Sequence, residues 1–161
     1  MQELARLRPA DVADLHELLT RADLTLSGLE APTVRLWLLR DGDGQVQGST
    51  GFELSADGRH ALIRSVAVAP GRRGEGLGLR LARYALVHAE REGAGRAWLF
   101  SRRSGPFWQR LGFEAADRAA LARVLAGTHQ VELFRQTGQL DREVAWSRSL
   151  ADPAVAPTSA G

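Results

Sequence analysis

The chain has 161 residues, 44% apolar and 25% charged, with a net charge of +2 and no cysteine. That length supports one well-cored domain. The missing cysteine excludes disulfides, thiolate metal sites and a cysteine nucleophile, and no metal site is expected. All 21 basic residues are arginine, and a balance this near neutral does not call for nucleic acid. No apolar run reaches the length of a membrane span. The first six residues lack the apolar core of a signal peptide, so a cytoplasmic protein is expected.

Taken in order, residues 4–8 alternate apolar and polar, a short strand. Pro9-Ala10-Asp11 opens a helix to about Ala22, with Val12, Leu15, Leu18 and Leu19 on one face. Residues 24–32 form a loop or short helix. Residues 34–40 and 45–54 read as strands joined across Asp41-Gly42-Asp43-Gly44. A turn at 55–59 leads into residues 61–69, a β-branched apolar run stopped by Pro70 and best read as a buried strand. Glycines follow at 71, 74, 76 and 78. A helix then runs to Glu92, with Leu77, Leu81, Ala85 and Ala89 recurring every four residues. Gly93-Ala94-Gly95 closes it, and residues 96–100 are a strand. Pro106 to Gly112 is a short helix, and Phe113 starts another strand. Residues 119–126 are helical and 144–150 are the last strand. Residues 151–161, rich in Ala, Pro and Ser with the single charge of Asp152, are expected to be a disordered tail behind a domain at 1–150.

Strand, glycine loop and helix together make an anion cradle. Glycine lets the backbone approach a ligand, and the first N–H groups of a helix point outward with the positive end of the dipole behind them. Three nucleotide loops compete. A P-loop needs Lys and Ser or Thr after the second glycine, but Leu77-Gly78 follows Gly76. The dinucleotide fingerprint needs glycine where Leu79 or Leu81 stands. Arg73-Gly74-Glu75-Gly76-Leu77-Gly78 fits Arg/Gln-x-x-Gly-x-Gly/Ala, and so resembles the acetyl-CoA pyrophosphate loop of the GNAT acetyltransferases. Residues 62–70 resemble that family's fourth strand, and Phe107-Trp108-Gln109-Arg110-Leu111-Gly112-Phe113 resembles its second signature. The pattern runs over residues 4–150. Within the family it is most similar to bacterial arsenic-resistance N-acetyltransferases, with a weaker similarity to the acetyltransferase domain of N-acetylglutamate synthases.

The resemblance implies an α/β (α+β) GNAT fold, a mixed and mostly antiparallel central sheet of six to seven strands flanked by helices. It also implies acetyl-CoA as co-substrate, a small amino-acid-like amine as acceptor, and no metal, nucleic acid or membrane partner; a homodimer is left open. The loop of Arg73, Gly74, Glu75, Gly76, Leu77, Gly78 and Leu79 would hold the pyrophosphate, mainly through backbone N–H groups. Val66, Ala67 and Val68 would pair with the pantetheine arm. Glu75 is an acid where the family usually has a basic or neutral residue, so its charge must point away. Many members carry a glutamate near the start of the central strand as general base. His60-Ala61-Leu62 has none, and Glu53 on the neighbouring strand is the replacement candidate, with Gly51 beside it leaving room for substrate; a solvent-facing strand glutamate is an equal alternative. Trp108 stands where many members have the tyrosine that protonates the CoA thiolate; indole is far too weak an acid, and water is the alternative source. Arg64, Ser65, Arg102 and Arg103 are the candidate acceptor-binding residues, since arginine forks suit carboxylates. Alternation along the strand puts Arg64 on the face of Val66 and Val68. The alternative for Arg64 is an internal partner, Glu53 among the candidates. The leading function is small-molecule N-acetylation; a non-catalytic acetyl-CoA-binding module and a peptide or protein N-acetyltransferase are the alternatives.

Overall fold

The computed structural model describes residues 3–150, so the expected tail at 151–161 lies outside the described residues. Seven strands form one sheet: β1 (Glu3–Arg6), β2 (Val34–Arg40), β3 (Val46–Leu54), β4 (His60–Val68), β5 (Arg96–Phe100), β6 (Glu114–Ala116) and β7 (Ala145–Ser149), in the order β1-β2-β3-β4-β5-β7-β6. Every pairing is antiparallel except β4 with β5. The parallel pair follows from its connection, since α2 (Leu77–Arg91) is the crossover such a pair requires. The remaining helices are α1 (Val12–Arg21), α3 (Gly105–Gln109), α4 (Arg118–Val124) and α5 (His129–Thr137). Residues 24–32 contain turns and no helix, and α5 falls where the sequence offered no clear element. Among the described residues no helix is long and apolar enough to cross a membrane.

The two faces of the sheet are covered differently. On one, Ala82, Ala85, Leu86 and Ala89 of α2 pack on Phe52, Ala61, Ile63 and Ala97, with Val66 against them. On the other, Leu15, Leu18 and Leu19 of α1 pack on Leu36, Leu38 and Ala67, while Leu121, Leu125 and Val131 pack on Leu62 and Trp98. These faces expose a fault in β4. Gly51 pairs with Arg64, but Ser49 pairs with Ala67, so β4 carries an extra residue. The bulge centres on Ser65, which has φ +61°, and Ser49 Oγ donates to the Ser65 carbonyl at 2.6 Å. A bulge of this kind resets side-chain alternation. Ile63 and Val66 therefore share the α2 face, whereas Arg64 pairs opposite Gly51 and joins Glu53 on the far side. The expectation that Arg64 shares a face with Val66 and Val68 is overturned, because simple alternation does not survive the extra residue.

A second irregularity opens the site. β4 and β5 pair over His60↔Arg96, Ala61↔Ala97 and Leu62↔Trp98, and that is where their register ends. β4 continues to Val68 and β5 to Phe100, so the strands splay beyond Leu62 and leave a notch in the middle of the sheet.

Gly51 shows how tightly β2 and β3 meet below that notch. A Cβ there would lie 2.3 Å from the Arg35 carbonyl oxygen and 2.6 Å from Leu36 Cδ2. Backbone cannot yield as a side-chain tip can, so Gly51→Ala should cost about 1–3 kcal/mol of stability, the usual range for overpacking. Urea unfolding of the two proteins checks this, with a lower midpoint and an unchanged slope as the expected result.

Candidate active site

The splay of β4 from β5 holds a cleft of about 480 Å³. Its walls come from both strand ends: Ile63 to Val68 on one side, Leu99, Phe100 and Ser101 on the other. Arg73 and Gly78 close the helix end, Phe107 and Trp108 the α3 side, and Thr25 and Gln130 the far end. Of the residues singled out in sequence, Arg64, Ser65, Val66, Ala67, Val68, Arg73, Gly78 and Trp108 thus meet around one space.

The glycine loop has the geometry of an anion cradle. Gly74 has φ +87° and Gly76, the residue preceding α2, has φ +75°, angles that side chains seldom adopt. The first intrahelical bond is Arg80 N–H to the Gly76 carbonyl, so the amides of Leu77, Gly78 and Leu79 belong to the turn that has no acceptor within the helix. A side chain at Gly78 would begin 3.7 Å from Phe107 Cε1 and Val68 Cγ2, on the cleft wall. Leu77 is buried and Leu79 packs against the α2 core, so these two offer backbone rather than side chain. Glu75 is drawn toward Arg72, 3.7 Å away, which offsets part of its charge. Trp108, 8% exposed, stands edge-on to both Phe107 and Phe113 as a packed wall. The sole tyrosine, Tyr84, is edge-on to Trp37 and against His88.

Behind the far end lies a polar cluster. Glu53 is 1% exposed and does not line the cleft. One of its oxygens faces Arg64 Nη1 at 3.5 Å. The other accepts from the backbone N–H of His129 at 2.8 Å, lies 2.7 Å from its ring Nδ1, and faces Thr33 Oγ1 at 3.5 Å. The room expected beside Gly51 is filled by β2 backbone. Glu53 is therefore neither a solvent-facing strand residue nor a carboxylate open to substrate. Arg64 also reaches the Thr25 carbonyl and Ser65 Oγ, each at 3.4 Å. Burial pushes its guanidinium below the usual arginine range, and the neighbouring Glu53 charge opposes that shift. Arg102 and Arg103 are not brought to the site. The first pairs with Glu143 at 3.4 Å and the second, mostly exposed, with Asp23 at 3.2 Å. His60 accepts from Trp98 Nε1 at 3.0 Å, at the paired end of β4 and β5. Thr25, His129 and Gln130 were missed because polar residues on a loop and a weakly patterned helix give no motif.

Breaking a buried pair leaves one charge uncompensated, a loss of about 3–5 kcal/mol. Arg64→Met should therefore lower stability by about 3 kcal/mol or more. Glu53→Gln should cost less, since its side-chain oxygen still accepts from the His129 backbone. Denaturant unfolding of both variants gives the comparison.

With this geometry in view, comparison with known proteins places the chain. The family model described as "Acetyltransferase (GNAT) family" matches residues 3–113. The streptothricin acetyltransferase of Streptomyces lavendulae is 40% identical over 57 residues, 35% of this chain and 30% of that protein. The N-acetylglutamate synthase of Neisseria gonorrhoeae, solved with coenzyme A and N-acetyl-glutamate, superposes with a TM-score of 0.75 at 19% identity over 93% of this chain. This chain spans only 35% of that synthase. A protein of Mycobacterium tuberculosis solved in complex with CoA gives a TM-score of 0.67 at 16% identity, covering 91% of this chain and 98% of that one. The structural likenesses carry the fold, the match over residues 3–113 carries the family, and the chain belongs to the GNAT acetyltransferases.

Proposed function

We propose that the chain is an acetyl-CoA-dependent N-acetyltransferase acting on the primary amine of a small molecule, an amino acid or amino-acid-like compound. The observation that supports it best is the continuous cleft that starts at the glycine cradle, follows Val66 to Val68, and ends at Arg64, Thr25 and Gln130.

Acetyl-CoA fits the chain's own features. The unpaired first-turn amides of α2 and the open backbone at Gly74 and Gly76 suit a pyrophosphate. The Arg73–Leu79 loop binds it, and the backbone of Val66, Ala67 and Val68 lies along the cleft for the pantetheine arm. The bulge at Ser65 takes nearby backbone out of regular pairing at the cleft wall, and a strand N–H there is our candidate donor to the developing oxyanion. When bound, the co-substrate supplies a thioester carbonyl. The amine nitrogen forms the new C–N bond as the C–S bond breaks, the electron pair leaves with sulfur, and the nitrogen gives up a proton. No carboxylate or imidazole lines the cleft among the described residues, so water is the proton's first acceptor. We revise Glu53 accordingly to a positioning residue that holds Arg64 and the start of α5. Trp108 acts by packing, and a thiol with a pKa near 8.5 leaves tolerably as the anion near neutrality.

We favour an acceptor with an anionic group beside its amine, on the strength of the synthase solved with N-acetyl-glutamate. The Arg64 side chain is fully enclosed among Glu53, Thr25 and Ser65, so its charge acts on the acceptor end from behind the wall and not by direct contact. The streptothricin acetyltransferase similarity favours a second acceptor, streptothricin or a compound like it. The resemblance to arsenic-resistance proteins adds no acceptor chemistry.

Thiol release from acetyl-CoA with a panel of amines tests the function. Amino acids should outperform their decarboxylated amines, whereas a stronger response to streptothricin selects the second acceptor. Gly78→Val should weaken acetyl-CoA binding by about tenfold or more, roughly 1.4 kcal/mol, because the side chain enters the cleft from an unstrained helical position. Calorimetry on the folded variant measures it. Trp108→Phe should keep most of the turnover.

A further inference from the structure

The end of α1 carries a residue that the backbone alone does not ask for. Ala22 ends the helix, and the next residue, Asp23, has φ +58°. The Asp23 N–H donates to the Thr20 carbonyl at 3.1 Å, and the Leu24 N–H to the Leu19 carbonyl at 2.9 Å. This pair of bonds is the helix stop at which glycine is the usual left-handed residue. Aspartate enters that region at a local cost that glycine avoids. Its side chain crosses to another part of the cleft rim, where Oδ2 meets Arg103 Nη2 at 3.2 Å.

Both neighbours of Asp23, Ala22 and Leu24, line the cleft, and so do Ser101 and Ser104 on either side of Arg103. The ion pair therefore joins two stretches of the rim. The backbone beneath it is fixed. Thr25 is bonded by Arg64 and Gln130, and Ser101 by Val144, Trp146 and the Ser104 N–H. The two side chains are free to part, being 83% exposed at Asp23 and 76% at Arg103. An exposed pair opens readily, because water and salt compete for both charges.

We infer that Asp23 and Arg103 form a strap across the acceptor end of the cleft and determine how long an acceptor the site takes. This rests on the acetyl transfer proposed above and adds what limits the acceptor. A small amine lies within the cleft under a closed strap. An acceptor that extends out over the rim needs the strap open, and so loses in kcat/KM what the pair gains by closing. For an exposed pair that gain is at most about fivefold. The strap is thus a length filter made by two side chains, with no movement of the loops that carry them.

The test compares the full chain with Asp23→Gly, Arg103→Gln and the double variant by thiol release. The acceptors are the panel's preferred primary amine and the same amine with a short polyethylene glycol arm at the end away from the nitrogen. Asp23→Gly keeps the helix stop, because glycine suits φ +58°, and should melt no earlier than the parent. The parent should prefer the bare amine in kcat/KM. Each single variant should narrow that preference by about two- to fivefold, through a gain on the armed amine. The double variant should narrow it no further, since either change removes the whole pair. High salt should narrow the parent's preference and leave that of the variants alone. A parent with no preference overturns the inference, and so does a single variant that matches the parent. A double variant whose change is the product of the two single ones, or a salt response equal in parent and variants, also overturns it. A parent that releases no thiol with any amine strikes down acetyl transfer itself, an outcome distinct from an active parent whose variants match it.

Discussion

The site depends on one extra residue in β4. Without the bulge at Ser65, Arg64 and Val66 would share one face, so either Arg64 would enter the apolar α2 side against Ala82 and Ala85 or Val66 would leave it. The φ of +61° at Ser65 carries a local cost of order 1–3 kcal/mol for a residue with a side chain. That cost is offset by the bond from Ser49 to the Ser65 carbonyl and by what the bulge permits on the far face, the buried meeting of Arg64 with Glu53. The same interruption of regular pairing coincides with the splay of β4 from β5. Strain, charge burial and the cleft wall thus meet at one short stretch of β4.

Glu53 then acts as a hub. It lies on β3, contacts Arg64 of the next strand, β4, and accepts from the first residue of α5, far along the chain. A carboxylate at a helix start satisfies an orphan N–H and is favoured by the helix dipole. Here that capping is done by a residue 76 positions away rather than by the neighbouring Thr128. The consequence is mechanical: any shift of β3 or β4 is felt at α5, and so at Gln130 and Thr25. A group so enclosed is poorly suited to trade protons with a substrate, and well suited to keep a wall in place.

How much of this was legible in sequence differs by element. Strands 34–40 and 96–100 were readable to the residue, because each is a dense apolar run bounded by turn residues. The glycine loop and the helix start after it were readable too, since both depend on local spacing within residues 71–79. α5 was not. Its buried positions are Gln130, Val131 and Phe134, too few apolar residues to mark a helical face. The face of Arg64 was misread for a similar reason. Serine gives no signal for a left-handed backbone, so alternation was carried through a position where it stops. Arg64 differs from Arg102 and Arg103 in sequence, because it is a charge inside an apolar strand and needs a partner there, whereas the other two follow a strand in a polar loop and end nearer the surface with acids of their own.

This asymmetry has a physical basis that bears on acceptor choice. A donor common to many enzymes is recognised through backbone, which any sequence with the right turn can supply. An acceptor is distinguished by hydrogen-bond donors and acceptors that must be buried, satisfied and rigid to discriminate at all. The polar residues at that end of the cleft come from wherever the chain folds over it: Thr25 from a loop after α1, Arg64 from a bulged strand, Gln130 from a short late helix. None has a fixed spacing to the others, so no linear motif records them. What joins them is Glu53 at the back of the wall, which meets Arg64 directly and is linked to Gln130 through His129 and to Thr25 through Arg64, so that one buried carboxylate ties a loop, a bulged strand and a late helix together.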